Sequence, residues 1–133
     1  MDLTLVDVSA WIEAFRPRGD PKITEVVRER LAADQILMPD LIKVELLRGT
    51  KTNAEFERLK ELLEALAPLP IEEAFWDDLS SFGFQPLRKG LTAPLVYAAI
   101  ALLAIQQDVP LLRRDRHFDL IAKKSDLKIL NFD

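Results

Sequence analysis

The sequence contains no cysteine among its 133 residues and only one histidine. Without cysteine the chain forms neither a disulfide framework nor a thiolate zinc site, and such a composition suits a reducing cytoplasm. Long hydrophobic runs are also missing. The longest apolar stretch, residues 95–105, is too short to span a bilayer and is preceded by Pro94. Because Asp7 interrupts the N-terminal apolar run, we expect no signal peptide, a cytoplasmic location and no membrane partner.

An excess of positive charge is absent too. Eighteen Lys and Arg residues stand against 22 Asp and Glu residues, for a formal net charge of −4. Proteins that bind nucleic acids usually have a basic balance, so any such binding must depend on a local basic patch. The remaining composition, 49% hydrophobic and 30% charged, is an ordinary globular mixture. Length and composition therefore predict one domain over residues 1–133.

Short apolar runs alternate with helical patterns along the chain, which predicts an α/β fold. Predicted strands cover residues 3–7, 36–38, 109–112 and 127–130, with a short extended piece at 67–70. Predicted helices cover residues 9–15 (with Ser9 as N-cap), 22–33, 40–49, 53–66, 71–82, 95–106 and 115–123. This order favours a doubly wound, mostly parallel central sheet of about four to five strands flanked by helices. The helix at 95–106 is apolar nearly all round, so we expect it to be central.

Two acidic residues follow predicted core strands. Asp7 ends the strand at 3–7, and Asp115 lies just past the strand at 109–112. Ligands bind at the carboxyl ends of strands in open parallel sheets, so we expect both carboxylates at that edge. Taken alone, each residue is also consistent with a helix N-cap or a turn carboxylate.

Glu45 is a third acidic residue in an unusual setting. Its helix neighbours three and four residues earlier, Ile42 and Leu41, are both apolar. A carboxylate in such surroundings must be paired, liganded or protonated. A salt bridge to Arg48 or Lys43 is the alternative to a role in a site.

Three uncompensated carboxylates would repel one another, so we expect a cation among Asp7, Glu45 and Asp115. With oxygen ligands only, Mg²⁺ or Mn²⁺ is favoured over zinc. The single histidine, His117, is a weak zinc candidate and is more typical of a polar helix residue.

Four segments resemble the motifs of one known family. They are VDVSAWI at 6–12, VELLRG at 44–49, RKGLT at 88–92 and LRRDRHF at 112–118. In this order they are similar to the motifs of PIN-domain ribonuclease toxins of the VapC family, and the likeness covers the whole chain.

The resemblance implies a fold, an activity and partners. Such proteins are Mg²⁺- or Mn²⁺-dependent endoribonucleases, the toxins of prokaryotic type II toxin–antitoxin pairs. They usually form homodimers, and a VapB-like antitoxin silences them. The resemblance implies that Asp7, Glu45 and Asp115 are catalytic, metal-binding residues, with Ser9 as a supporting hydroxyl.

One position departs from the family pattern. The family usually has a further aspartate early in the helix that follows the Gly-Leu-Thr-x-Pro segment, and this chain has Tyr97 there. A phenol, with a pKa near ~10, is neutral at pH 7 and a poor Mg²⁺ ligand, and it is bulkier than a carboxylate. Natural divergence, an inactivating change and a different register are the alternatives, although no other acid lies in this helix before Asp108. The first two imply either a weakened nuclease or an inactive PIN-fold module that binds its antitoxin and RNA.

Local positive charge lies close to the acidic motifs in the sequence. The candidate RNA-binding residues are Arg48, Arg88, Lys89, Arg113, Arg114 and Arg116. As a set they are suited to salt-sensitive contacts with phosphates. Individually, each is also consistent with a solvated face or a salt bridge to a nearby acid.

Overall fold

The computed structural model describes residues 2–84 and 93–131. Over these residues the elements are β1 (Thr4–Val6), α1 (Val8–Phe15), α2 (Pro21–Ala32), β2 (Ile36–Pro39), α3 (Asp40–Arg48), α4 (Asn53–Glu64), β3 (Ala67–Leu69), α5 (Phe75–Phe84), α6 (Leu95–Gln107), β4 (Leu111–Leu112) and α7 (His117–Ala122). None of the helices in this part of the chain has the length and apolar character needed to cross a membrane.

The strands form one sheet in the order β3-β2-β1-β4, and every pairing is parallel. Leu5 of β1 lies between Leu37 of β2 and Leu111 of β4. All residues of β1, β2 and β4 are buried, as expected for a parallel sheet covered on both faces. The predicted doubly wound parallel sheet is therefore confirmed.

The strand order reverses direction at β1. The chain moves outward from β1 through β2 to β3, and β4 then returns to the other side of β1. Helices α1 to α4 pack as one set, and α5, α6 and α7 pack as another, consistent with right-handed crossovers on opposite faces. Such a reversal leaves a crevice at the carboxyl ends of the two strands beside it, here β1 and β4.

Helix α6 is central, as its composition predicts. All of residues 98–104 are buried. Tyr97 comes one residue before this buried run and is only partly buried, so α6 delivers its side chain to the margin of the core.

Three element boundaries differ from the prediction because side chains and turns compete with the helices. The N-cap of α1 is Asp7, not Ser9, because the Asp7 carboxylate accepts the Ser9 N–H at 3.0 Å. Helix α7 begins at His117 rather than Asp115, whose carboxylate accepts the His117 N–H. Helix α5 begins at Phe75 rather than residue 71, after a turn in which the Phe75 N–H donates to the Glu72 carbonyl.

Two segments that the sequence predicted to be extended take part in the sheet differently from the prediction. Residues 67–69 form the edge strand β3, which pairs with β2. Residues 127–130 make only a single parallel bridge, between Ile129 and Leu111. Lys128 and Leu130 each exchange one backbone hydrogen bond with Leu111, so this segment extends the sheet beyond β4 at one residue only.

Thr4 offers a test of how much stability the sheet loses to a buried hydroxyl that has no hydrogen-bond partner among the described residues. Its side chain is buried, and within the described part of the chain its hydroxyl has no hydrogen-bond partner. Such a hydroxyl loses hydration without compensation, so Thr4→Val should raise the free energy of unfolding by about 1 kcal/mol. Urea denaturation followed by circular dichroism measures the change.

Thr52→Val is the matched control, since the Thr52 hydroxyl caps α4 by accepting the Glu55 N–H at 3.1 Å. Its loss should lower the free energy of unfolding by about 1 kcal/mol. If the two variants are destabilised alike, the Thr4 hydroxyl is paired and the interpretation is wrong.

Candidate active site

The Ser9 hydroxyl ties together the ends of β1 and β4. It donates to Asp7 Oδ2 at 2.7 Å and accepts the backbone N–H groups of Arg114 at 2.9 Å and Asp115 at 3.0 Å. A hydroxyl has one hydrogen and two lone pairs, so these three bonds use its whole capacity. The Asp7 N–H also donates to the Leu112 carbonyl at 2.9 Å. The Asp7 side chain and the Asp115 backbone therefore lie beside each other at the sheet edge where the sequence predicted both acids.

Asp7 is a buried carboxylate, only 2% exposed. Burial raises the pKa of Asp7, hydrogen bonds from the Ser9 side chain and backbone and from the Val8 backbone oppose this rise, and the nearby Asp115 charge adds to it. The ionised form is thus disfavoured here, and added positive charge would stabilise it.

Both oxygens of the Asp115 carboxylate are engaged. Oδ2 accepts the Tyr97 hydroxyl at 2.5 Å, while Oδ1 accepts the His117 N–H at 3.0 Å and lies 2.7 Å from His117 Nδ1. Burial acts to raise the pKa of Asp115, but the hydrogen bonds from Tyr97 and His117 outweigh it and lower the pKa. Asp115 is therefore an ionised acceptor at neutral pH.

The Tyr97 ring is held between two side chains of α7. It stacks on His117 with ring centroids 5.0 Å apart and an interplanar angle of 20°, and it meets the Phe118 ring at 5.2 Å and 74°. These contacts fix the direction in which the hydroxyl points.

The Tyr97 hydroxyl lies within electrostatic reach of all three predicted acids. The hydrogen bond to Asp115, then burial, then the negative charges of Asp115, Asp7 and Glu45 raise the pKa of Tyr97 to about 12. The phenol is therefore protonated at neutral pH and remains a hydrogen-bond donor among carboxylates.

Glu45 pairs with Arg48, the salt bridge that the sequence left open as an alternative. The two side chains are 3.3 Å apart on α3, and the Glu45 side chain is 30% exposed. Its charge also contributes to the raised pKa of Tyr97, so Glu45 lies in the neighbourhood of the Tyr97 hydroxyl.

A metal ion is the group that the motif resemblance implies for this crevice. Carboxylate oxygens have the chemistry that Mg²⁺ and Mn²⁺ prefer. Over residues 2–84 and 93–131, however, no three acidic or histidine side chains are grouped closely enough to hold a metal ion. A phenolic hydrogen, rather than another carboxylate, faces Asp115 Oδ2. The donor atoms suit a hard cation in type, but their present arrangement does not form its site.

The predicted basic residues have different surroundings. Arg113 binds Asp119 through two nitrogens at 2.9 and 3.0 Å, Arg114 Nε lies 3.5 Å from Glu13, and Arg116 is exposed. Arg88 and Lys89 lie outside the described residues. Glu13 was not among the residues that the sequence pattern indicated, although Arg16 and Arg18 in the loop that follows it were a usable signal.

The PIN-domain family model matches residues 4–124. Ribonuclease VapC11 of Mycobacterium tuberculosis and VapC ribonuclease Mb1587 of Mycobacterium bovis are each 30% identical to this chain over 135 residues. Each match covers 98% of this chain and 99% of the relative. The chain belongs to the VapC group of the PIN-domain family. Its family membership agrees with the motif resemblance seen in the sequence.

Solved structures with a similar fold include VapBC complexes. VapBC2 from Rickettsia felis, bound to a promoter DNA fragment, has a TM-score of 0.78 at 14% identity and covers 98% of this chain and 99% of its own. DNA-bound VapBC from Salmonella typhimurium has a TM-score of 0.77 at 17% identity and full coverage of both chains. At these identities the likeness concerns the fold. The roles of Asp7, Glu45, Asp115 and Ser9 in this VapC-group chain stay predictions.

Asp7 and Asp115 should affect stability in opposite directions. Folding raises the pKa of Asp7 above its unfolded value of 3.8. The protonated Asp7 carboxyl therefore makes its full contribution to the free energy of unfolding below pH 3.8, and this contribution is lost as pH rises through the folded pKa. Asp7→Asn should therefore be more stable than the wild type at pH 7, and the difference should shrink towards pH 4. Folding lowers the pKa of Asp115, so its contribution is present above 3.8 and is lost as pH falls through the folded value. Asp115→Asn should be less stable than the wild type at pH 7.

Urea midpoints of both variants at the two pH values, in buffer with a chelator, measure this difference. Each substitution removes one negative charge, so each controls for the effect of net charge. Equal shifts at pH 7 would contradict the opposite pKa directions.

Proposed function

We propose that this chain is a ribonuclease toxin of a type II toxin–antitoxin system, which hydrolyses RNA phosphodiester bonds with Mg²⁺ or Mn²⁺ as cofactor. The observation that carries the proposal is the meeting of Asp7 and Asp115 beside Ser9, at the reversal point of the sheet. Relatives that are 30% identical over nearly the full length carry the name VapC ribonuclease, which supports the same activity.

The proposed ligands of the cation are Asp7, Asp115 and Glu45, whose side chains would have to come closer together than they lie in this structure to hold it. When bound there, a divalent cation would supply an activated water and would neutralise charge on the phosphoryl oxygens. Ser9 is a positioning residue, because its hydroxyl fixes the Asp7 side chain and the Asp115 backbone at once. The raised pKa of Asp7 is consistent with a carboxylate that is stabilised when positive charge arrives.

Basic residues beside the acids would contact the RNA. Arg114 and Arg116 flank Asp115 in the chain, and Arg48 lies beside Glu45. Arg88 and Lys89 are proposed on the sequence alone. The Arg113 guanidinium is engaged by Asp119, so we expect its main contribution to be the attachment of α7.

Tyr97 opposes metal binding in this proposal. Its hydroxyl hydrogen lies on Asp115 Oδ2, which a cation would also need. A hydrogen bond to an ionised acceptor is roughly twice as strong as a neutral one, and packing against His117 and Phe118 adds to the barrier against displacement. We therefore expect a weak metal site and slow cleavage.

The second candidate is a PIN-fold module without catalysis, and the same Tyr97–Asp115 contact favours it. In either case we propose a single cytoplasmic PIN domain over residues 1–133, which forms a homodimer and binds a VapB-like antitoxin. The VapBC composition of the solved structures with this fold supports an antitoxin partner.

Substitution of Tyr97 distinguishes the two candidates. Tyr97→Asp adds a carboxylate and removes the donor on Asp115, so its Mn²⁺ affinity should rise by about tenfold or more. RNA cleavage should rise with it. Tyr97→Phe is the matched control: it frees Asp115 Oδ2 without adding a ligand, so its Mn²⁺ affinity should lie between the other two. Calorimetry measures Mn²⁺ binding, and a labelled RNA in the presence of Mn²⁺ reports cleavage.

Asp7→Asn in the Tyr97→Asp background should abolish cleavage and thereby exclude a contaminating nuclease. Equal Mn²⁺ affinity and cleavage in wild type and Tyr97→Asp would overturn the role given to Tyr97. If Tyr97→Asp binds Mn²⁺ but leaves every RNA intact, the ribonuclease proposal fails and the binding module stands.

A further inference from the structure

A second cluster of charge lies beside the candidate active site. It lines a cavity of about 660 Å³ between the loop that joins α1 to α2 and the residues after β4. Its charged residues are Arg16, Arg18, Lys22, Arg114, Glu13 and Asp20. Four cations against two carboxylates leave this basic pocket with two positive charges, in a chain whose net charge is −4.

Glu13 is a largely buried acid that contacts three residues of the basic pocket. Its side chain is only 13% exposed, and its carboxylate lies 3.7 Å from Arg16 Nη1 and 3.5 Å from Arg114 Nε. It also accepts the Asp20 N–H at 3.4 Å. One carboxylate therefore orients two guanidinium groups and fastens the loop that carries the other basic residues.

Gly19 fixes the loop against α1. A Cβ atom at this position would lie 1.8 Å from the Glu13 carbonyl oxygen, so a larger residue does not fit without a backbone shift. Since the loop is held at Gly19 and at Glu13, its basic side chains extend from a preformed backbone. Preformed sites lose less entropy when a ligand binds.

Arg114 joins the basic pocket to the candidate active site. Its side chain lines the pocket, while its backbone N–H donates to the Ser9 hydroxyl that holds Asp7. The next residue in the chain is Asp115. A polyanion that passes Asp7 and Asp115 would therefore continue into this pocket.

We propose that the basic pocket binds a backbone phosphate of the RNA, next to the phosphate at the acidic residues. The inference rests on the proposed function and deepens it. Guanidinium forks match phosphate oxygens, and Arg16, Arg18 and Arg114 supply three of them. Among the described residues that line the pocket none is aromatic, so it contacts the backbone rather than stacking on bases.

RNA binding without cleavage tests the pocket. The chain is titrated into a fluorescein-labelled single-stranded RNA in EDTA, over a series of KCl concentrations, and fluorescence anisotropy is recorded. For Arg16→Gln/Arg18→Gln, Kd at low salt should rise by about tenfold, and the slope of log K against log salt should fall by about 0.7 for each phosphate that the variant no longer neutralises. Arg18→Gln alone keeps the Arg16–Glu13 pair and should show a smaller change in the same direction.

Arg28→Gln/Arg58→Gln is the matched control. It removes the same charge from two exposed arginines outside the pocket, one of which pairs with Glu25 at 3.0 Å. Its Kd for RNA should stay within about twofold of the wild-type value, because salt screens exposed charges that do not contact the RNA. Urea midpoints confirm that each variant is folded.

The outcomes separate the pocket from the proposed function. If the two double variants weaken RNA binding equally, or neither does, the pocket assignment is overturned while RNA binding by the chain stands. If the pocket variant loses binding only to an acidic peptide or to the antitoxin, the pocket belongs to a protein partner and the inference is wrong. If the wild type binds no RNA at any salt concentration, both the inference and the proposed function fail.

Discussion

The arrangement of this crevice depends on one hydroxyl group. Ser9 Oγ donates its single hydrogen to Asp7 and accepts, with both lone pairs, the backbone N–H groups of Arg114 and Asp115, residues more than a hundred positions away. If it were removed, two N–H groups would lose their acceptor and a buried carboxylate would lose its strongest donor. The position of each strand-end acid, and of the arginine beside it, is thus set by the same atom. This explains why a residue without an ionisable group belongs among the determinants of the site.

Tyr97 donates a hydrogen bond at the place where the fold brings Asp7 and Asp115 to one edge of the sheet. Two carboxylates at neighbouring strand ends repel each other; burial is the main cause of the raised pKa of Asp7, and the Asp115 charge adds a smaller part. A cation would offset this repulsion, whereas the neutral Tyr97 phenol stabilises the ionised form of Asp115 through a hydrogen bond. The raised pKa of Tyr97 means that this hydrogen stays in place throughout the neutral range. The Tyr97 hydroxyl thus satisfies Asp115 Oδ2 without a metal ion, which is why the proposed function assigns Tyr97 a role that opposes cation binding.

The parts that could be predicted from the sequence are those that follow from pattern. Short apolar runs located β1, β2 and β4, and the parallel order brought Asp7 and Asp115 to one edge. Helix starts were less predictable, since at residues 7 and 115 a carboxylate competes for the first N–H groups. The link between Glu13 and Arg114 could not be anticipated, because periodicity carries no information about contacts between side chains a hundred residues apart. The tyrosine at position 97 was visible at once, but its bond to Asp115 needed the packing of α6 against α7.

Arg114 and Asp115 are adjacent in the chain, so the basic pocket lies directly beside the acidic residues of the candidate active site. A phosphodiester approaching two carboxylates alone would be repelled, and the negative balance of the whole chain would add to the repulsion. Charges beyond about 8 to 10 Å are largely screened at physiological salt, however, so the groups nearest the strand decide where it lies. Glu13 matters here because it cancels part of the local positive charge while it pairs with two arginines, one on each side of the basic pocket. Charge changes from a basic pocket to two acids within a few residues, and in the proposed function this change would orient an RNA backbone along that line.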